Sequence, residues 1–118
     1  MRPFQITEDE LGPDGREIQV EGELDLAVAD QLQSALDKAQ DCKGIVIGLE
    51  RCDFIDSTGI AVIVRGQHRM EAAGGGLAAH GADGGVLRIL EMTGLTKNGL
   101  IYETAEQARA AVLGTPAA

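Results

Sequence analysis

From Glu17 to Leu24 the chain alternates without a break: Ile18, Val20, Gly22 and Leu24 fall on one side, Glu17, Gln19, Glu21 and Glu23 on the other. A period of two is that of a strand with one buried and one wet face. Pro13-Asp14-Gly15 is a turn signal just before it, and Phe4 to Thr7 is expected to supply the other strand of a hairpin. After Asp25 the period lengthens. Val28, Leu32, Ala35, Leu36 and Ala39 recur at helical spacing, with Asp30, Gln31, Gln33, Asp37 and Lys38 opposite them, which predicts an amphipathic helix from Leu26 to Gln40. Leu32 and Leu36 are expected to point inward.

Gly44 then precedes Ile45-Val46-Ile47-Gly48-Leu49, an apolar run suited to a central parallel strand covered on both faces. A glycine inside such a strand weakens it unless another backbone or side chain approaches closely at Gly48. A connector ending in Phe54-Ile55-Asp56-Ser57-Thr58-Gly59 leads to a predicted helix from Ile60 to Ala73, stopped by Gly74-Gly75-Gly76. Asp56 or Ser57 is the natural N-cap, because a side-chain oxygen there accepts from the free amides of the first turn. Leu77 to His80 suggests a weak strand, Val86 to Met92 a third helix closed by Gly94, and Leu100 to Tyr102 a last strand. Thr104-Ala105-Glu106-Gln107 has the form of a capping box, and Ala108, Ala111 and Val112 supply the apolar stripe of a final helix.

This alternation predicts an α/β fold: a mixed sheet with about four helices, in a single domain over residues 1–118, frayed at 1–3 and 114–118. The row Glu17, Gln19, Glu21, Glu23 implies that one face of the N-terminal hairpin stays uncovered. A chain of 118 residues with 44% apolar side chains can bury one core. With no Trp and only Phe4, Phe54 and Tyr102 as aromatics, that core must be aliphatic.

Charge narrows the partners. A formal net charge of -9 opposes binding to nucleic acid or to an anionic membrane, and suits a basic protein surface. No apolar run approaches the roughly 20 residues of a membrane helix, and Met1 to Leu11 has no signal-peptide pattern, so a cytoplasmic location is expected. Cys42 and Cys52 form no Cys-x-x-Cys pair and have no histidine at metal-ligand spacing. No metal or organic cofactor is expected.

Asp56-Ser57-Thr58-Gly59 is the most informative segment, since it sets two hydroxyls beside an acid at the beginning of a helix. Taken alone it reads as a helix cap. It lacks the Gly-x-Ser-x-Gly pattern of a serine nucleophile, and neither His68, on a polar helix face, nor His80 has a spacing that recommends it as the base. The glycine clusters at 74–76 and 81–85 lack the Gly-Lys-Ser or Gly-Lys-Thr of a phosphate loop. A receiver-type phosphorylation pocket lacks its acid too, because the central strand ends in Gly48-Leu49. A catalytic centre is not expected.

Three segments, in order and covering nearly the whole chain, resemble the STAS family of sulfate-transporter and anti-sigma-factor-antagonist domains, in particular its small stand-alone bacterial members. Gly22-Glu23-Leu24-Asp25 is similar to the loop before the first helix, Phe54 to Ile60 to the phosphorylation segment, and Met92-Thr93-Gly94-Leu95 to a later turn. The resemblance implies a partner switch. The unmodified antagonist binds an anti-sigma factor and frees a sigma factor; the anti-sigma factor, as an ATP-dependent serine kinase, phosphorylates the antagonist, and a serine phosphatase resets it. It implies Ser57 as the phosphoacceptor, with Asp25, Asp56, Thr58 and Gly59 completing the partner-binding residues. Monomer and weak dimer both stay open. So does a second role, that of an unphosphorylated interaction subunit in a scaffold or transport-associated complex.

Overall fold

Strands β1 (Gln5–Leu11) and β2 (Gly15–Leu24) form an antiparallel hairpin in the computed structural model, which describes residues 2–114. The first strand runs four residues beyond Thr7, because Glu8 to Leu11 continue to pair with Ile18 to Gly15. Helix α1 (Ala29–Lys38), strand β3 (Gly44–Ile55), helix α2 (Ser57–Ala72) and strand β4 (Gly76–His80) follow. Helix α3 (Gly84–Met92), a 3-10 turn at Leu95–Lys97, strand β5 (Ile101–Tyr102) and helix α4 (Ala105–Leu113) complete the described chain. The five strands lie in sequence order, with β2 to β5 mutually parallel and β1 antiparallel at the edge. The fold is thus a single α/β domain with a mixed five-stranded sheet and four helices.

The central strand explains the layering. Ile45, Ile47 and Leu49 join a core with Leu32 and Leu36 of α1, Val62 and Ile63 of α2, and Val86 and Leu90 of α3. Val46, on the opposite face, packs with Ala78 and with Ala108 of α4. Three helices cover one face and one helix covers the other, so β3 is apolar on both sides, as a parallel strand between helical layers must be. Leu32 and Leu36 are fully buried. At Gly48 the Gln19 side chain lies so close that a Cβ would overlap its amide.

Several boundaries differ from the sequence pattern for identifiable reasons. No connector precedes Phe54: β3 continues to Ile55 because β2 keeps pairing with it, Glu21 beside Arg51 and Leu24 beside Ile55, across two irregularities in register. Helix α1 starts at Ala29 instead of Leu26, since the Asp25 carbonyl accepts from both Val28 and Ala29 amides and closes a turn first. Helix α2 begins three residues before Ile60, where Asp56 caps it. Strand β4 is not weak; Leu77 to His80 are all buried.

The acidic row on β2 is not uniformly wet either. Glu17 is buried beneath α4, and Gln19, Glu21 and Glu23 are half-buried. On α4 the Thr104–Gln107 capping box forms, whereas Ala111 is exposed and Leu113 instead closes over Gly15 and Gly44. Of the two ends expected to fray, residues 1 and 115–118 lie outside the described residues. Arg2 and Pro3 carry no regular structure, yet their carbonyls sit against Gly22, and Arg2 pairs with Asp53 at 3.2 Å.

Candidate functional site

The segment from Asp56 to Gly59 begins where β3 ends, beside the end of β2. The Asp56 amide donates to the Leu24 carbonyl at 3.2 Å, which ties the last residue before α2 to the neighbouring strand. Asp56 is the N-cap, with Oδ1 accepting from the Gly59 amide at 2.9 Å. Its Oδ2 accepts from the Leu26 amide at 3.1 Å. One carboxylate therefore joins the first turn of α2 to the loop between β2 and α1.

Gly59 is buried because helix and strand meet there. A Cβ on it would sit 2.7 Å from Leu24 Cγ and 2.8 Å from the Leu24 carbonyl oxygen, closer than side chains pack. The glycine thus lets α2 start directly against β2. Ser57, the first residue of the helix, is exposed, and Thr58 is half-buried. Asp25, half-buried in the adjacent loop, accepts from the Ala27 amide through Oδ1 at 3.0 Å. The five residues singled out by sequence, Asp25, Asp56, Ser57, Thr58 and Gly59, are thereby gathered at one end of the sheet.

The first amides of a helix have no partner within it. Here the Gly59 amide goes to Asp56 Oδ1 and the Ile60 amide to the Asp56 carbonyl. Those of Ser57 and Thr58 have no acceptor among the described residues, and the positive end of the helix dipole adds to them. This arrangement accommodates an anion at Ser57. Neither histidine belongs to it: His68 is exposed well along α2, and His80 is buried at the end of β4.

Two nearby apolar side chains are exposed, Leu26 by 75% and Phe54 by 43%. Cys52, two residues before Phe54, is buried, and burial pushes its thiol above the usual range despite its contact with the Phe54 carbonyl at 3.4 Å. Along the helices, Arg69 donates to Asp37 at 2.9 Å, and that bond, with a second from Gln33, holds the Asp37 carboxyl below its ordinary value. Helices α1 and α2 are thus linked at the ends remote from Asp56 as well.

On the opposite face of the sheet lies a charged chain that sequence reasoning missed. Arg109 of α4 donates to both Glu17 oxygens at 3.0 Å. His80, 2% exposed, has Nδ1 at 2.5 Å from Glu50 Oε2 and Nε2 at 3.6 Å from Glu17 Oε2. Strict alternation had placed Glu17 on a wet face, and nothing local to residue 17 signals a helix arriving from residue 109. Among the described residues no cluster of three or more His, Cys, Asp or Glu is arranged to hold a metal ion, and no helix is long and apolar enough to cross a membrane.

A mixed sheet carrying three helices on one face, with an Asp-capped Ser-Thr-Gly helix start beside the loop after β2, defines a small domain of STAS type. Residues 9–102 match the family model described as Mlab, STAS domain, and the chain belongs to that family. It is 33% identical over 89 residues to an anti-sigma F factor antagonist from Paenibacillus polymyxa, covering 73% of this chain and 76% of the relative. Its fold matches unphosphorylated SpoIIAA, an anti-sigma factor antagonist, at TM-score 0.79 and 23% identity, covering 98% of this chain and 100% of the other. A putative anti-sigma factor antagonist from Thermotoga maritima matches at TM-score 0.73 and 25% identity, covering 94% of this chain and 93% of the other.

Proposed function

We propose that this chain is an anti-sigma-factor antagonist that works by binding, and that phosphorylation of Ser57 switches it off. The observation that carries the reading is the exposed hydroxyl residue at the first position of α2, next to the capping Asp56, in a chain 33% identical to a named antagonist. In its unmodified form it binds an anti-sigma factor through Asp25, Asp56, Ser57, Thr58 and Gly59, releasing a sigma factor. That anti-sigma factor is a serine kinase, and a separate serine phosphatase restores the hydroxyl. The cycle runs in the cytoplasm without contact to nucleic acid or membrane, and the chain contributes a substrate residue, with no catalysis or cofactor of its own.

Electrostatics accounts for the direction of the switch. A phosphate brings a charge of about -1.5 to -2, which the helix N-terminus tolerates, so the fold survives. A partner surface fitted to a neutral hydroxyl instead has to desolvate a dianion beside Asp56, which is costly without added cations. Binding is lost while folding is kept.

The test is incubation with ATP and each histidine-kinase-like anti-sigma factor of the source genome in turn, read by intact mass and peptide mapping. One of them should form a complex with the unmodified chain and place one phosphate on Ser57, after which the complex dissociates. A stable complex with no phosphate under any of these conditions would refute the switch and favour an unmodified STAS interaction subunit. No complex with any of them would refute the antagonist reading.

A further inference from the structure

A helix cap needs one oxygen, and Asp56 uses two. Oδ1 caps α2 at Gly59, whereas Oδ2 takes the Leu26 amide, a bond that contributes nothing to α2 itself. Leu26 is the middle of a turn that Asp25 closes from both sides. The Ala27 amide donates to Asp25 Oδ1, and the Val28 and Ala29 amides donate to the Asp25 carbonyl. The backbone at Leu26 is therefore fixed, while its side chain is 75% exposed. A single exposed leucine is ordinary on a protein surface. One whose backbone is pinned by the residue preceding the phosphoacceptor is not accounted for by folding alone.

We propose that Leu26 is an apolar anchor of the partner surface, and that Asp56 is the positioning residue that presents it. This rests on the antagonist reading above. The partner it fits is a protein surface with an apolar pocket for Leu26 and a basic rim for Asp25 and Asp56. A side chain carried on a fixed backbone has less freedom to lose on docking than one on a mobile loop, which is how a pinned anchor gains affinity. The same geometry links the anchor to the switch. A phosphate on Ser57 repels the neighbouring Asp56 carboxylate, so it weakens the Asp56 hold on Leu26 as well as adding charge.

Asp56→Asn separates the two bonds, because Asn caps helices as well as Asp does but offers only one oxygen. Amide exchange, thermal melting and affinity for the anti-sigma factor found in the phosphorylation screen are measured on the parent, Asp56→Asn, Leu26→Ala and the double variant. The Asn variant should melt like the parent and keep protection at the Gly59 amide, yet lose it at Leu26 and bind about tenfold more weakly. Leu26→Ala should lose at least as much affinity with unchanged melting, and adding Asp56→Asn to it should cost less than the same change costs the parent, the remainder being the Asp56 contact with the basic rim. Parental affinity in Leu26→Ala overturns the proposal, as does parental affinity in an Asn variant whose Leu26 amide has lost protection. Should the Asn variant fail to fold, the Leu26→Ala affinity decides alone. A parent that binds no anti-sigma factor overturns the functional reading and this inference together, whereas a binding parent with indifferent variants overturns this inference only.

Discussion

Removing Arg109 should destabilise the protein more than neutralising its partner, although the two residues form one ion pair. Arg109 donates to both Glu17 oxygens at 3.0 Å, but the environments differ: the Glu17 side chain is 10% exposed and that of Arg109 is 44% exposed. In Arg109→Met a buried carboxylate stays behind without its guanidinium, keeping only His80 Nε2 at 3.6 Å. A fully buried broken pair costs about 3 to 5 kcal/mol, and an exposed pair about 0 to 1. Water reaches this pair from the arginine side, so we place Arg109→Met between these limits, at about 1 to 3 kcal/mol.

In Glu17→Gln the stranded group is an arginine that can turn to solvent, and the Gln carbonyl still accepts one of its bonds. That loss should stay below about 1 kcal/mol. Urea denaturation of both variants and of Arg109→Met/Glu17→Met measures the difference, with thermal melting as a second probe. For a domain of this size each kcal/mol moves the midpoint by about 3 to 6 °C. The double variant should be no less stable than Arg109→Met, since it removes the stranded charge. Equal losses in the two single variants, or a loss under about 0.5 kcal/mol in Arg109→Met, would refute the asymmetry.

Ser57→Ala should melt within about 0.5 kcal/mol of the parent, because Asp56 and not Ser57 caps α2, and it should bind the anti-sigma factor while accepting no phosphate. Ser57→Asp should hold or slightly gain stability at the helix start while losing partner affinity, and parental affinity there would count against the switch. The Asp37 carboxyl is held low by Arg69, so its contribution is present above the ordinary carboxylate range and fades as the pH falls through its folded value. Melting as a function of pH should show a smaller acid-side decline in Arg69→Gln than in the parent. Cys42 is half-buried, and Cys52 is buried with its thiol pushed up, so a thiol reagent should label Cys42 first and Cys52 only on denaturation. Equal labelling rates in the native protein would show that β3 opens near its end.

Legibility in the sequence followed the range of the forces involved. Leu32 and Leu36 were readable because a helix repeats its buried face every turn, and both are fully buried. The turn at Pro13-Asp14 and the Thr104 capping box were readable because their chemistry is local. The second half of β3 was not. Glu50-Arg51-Cys52-Asp53 reads as a polar connector until β2 lies beside it, and only the pairing of Glu21 to Leu24 with Arg51 to Ile55 keeps it extended. Glu17 was placed in solvent for the same reason, since the arginine that covers it lies 92 residues away.

At the candidate site the same division runs through a single residue. The cap could be narrowed to Asp56 or Ser57 from their types and position, because capping is a bond across three residues. The other Asp56 oxygen bonds to an amide 30 residues earlier, and its existence depends on β2 and β3 ending side by side. Gly59 supplies the remaining closeness: with no Cβ, it lets α2 begin against Leu24, which brings the cap within reach of the Leu26 amide. A larger residue at 59 would push α2 outward and part Asp56 from Leu26 while leaving the Asp-Ser-Thr order intact. The motif therefore works as a spatial device only because the glycine that closes it sets the distance between helix and loop.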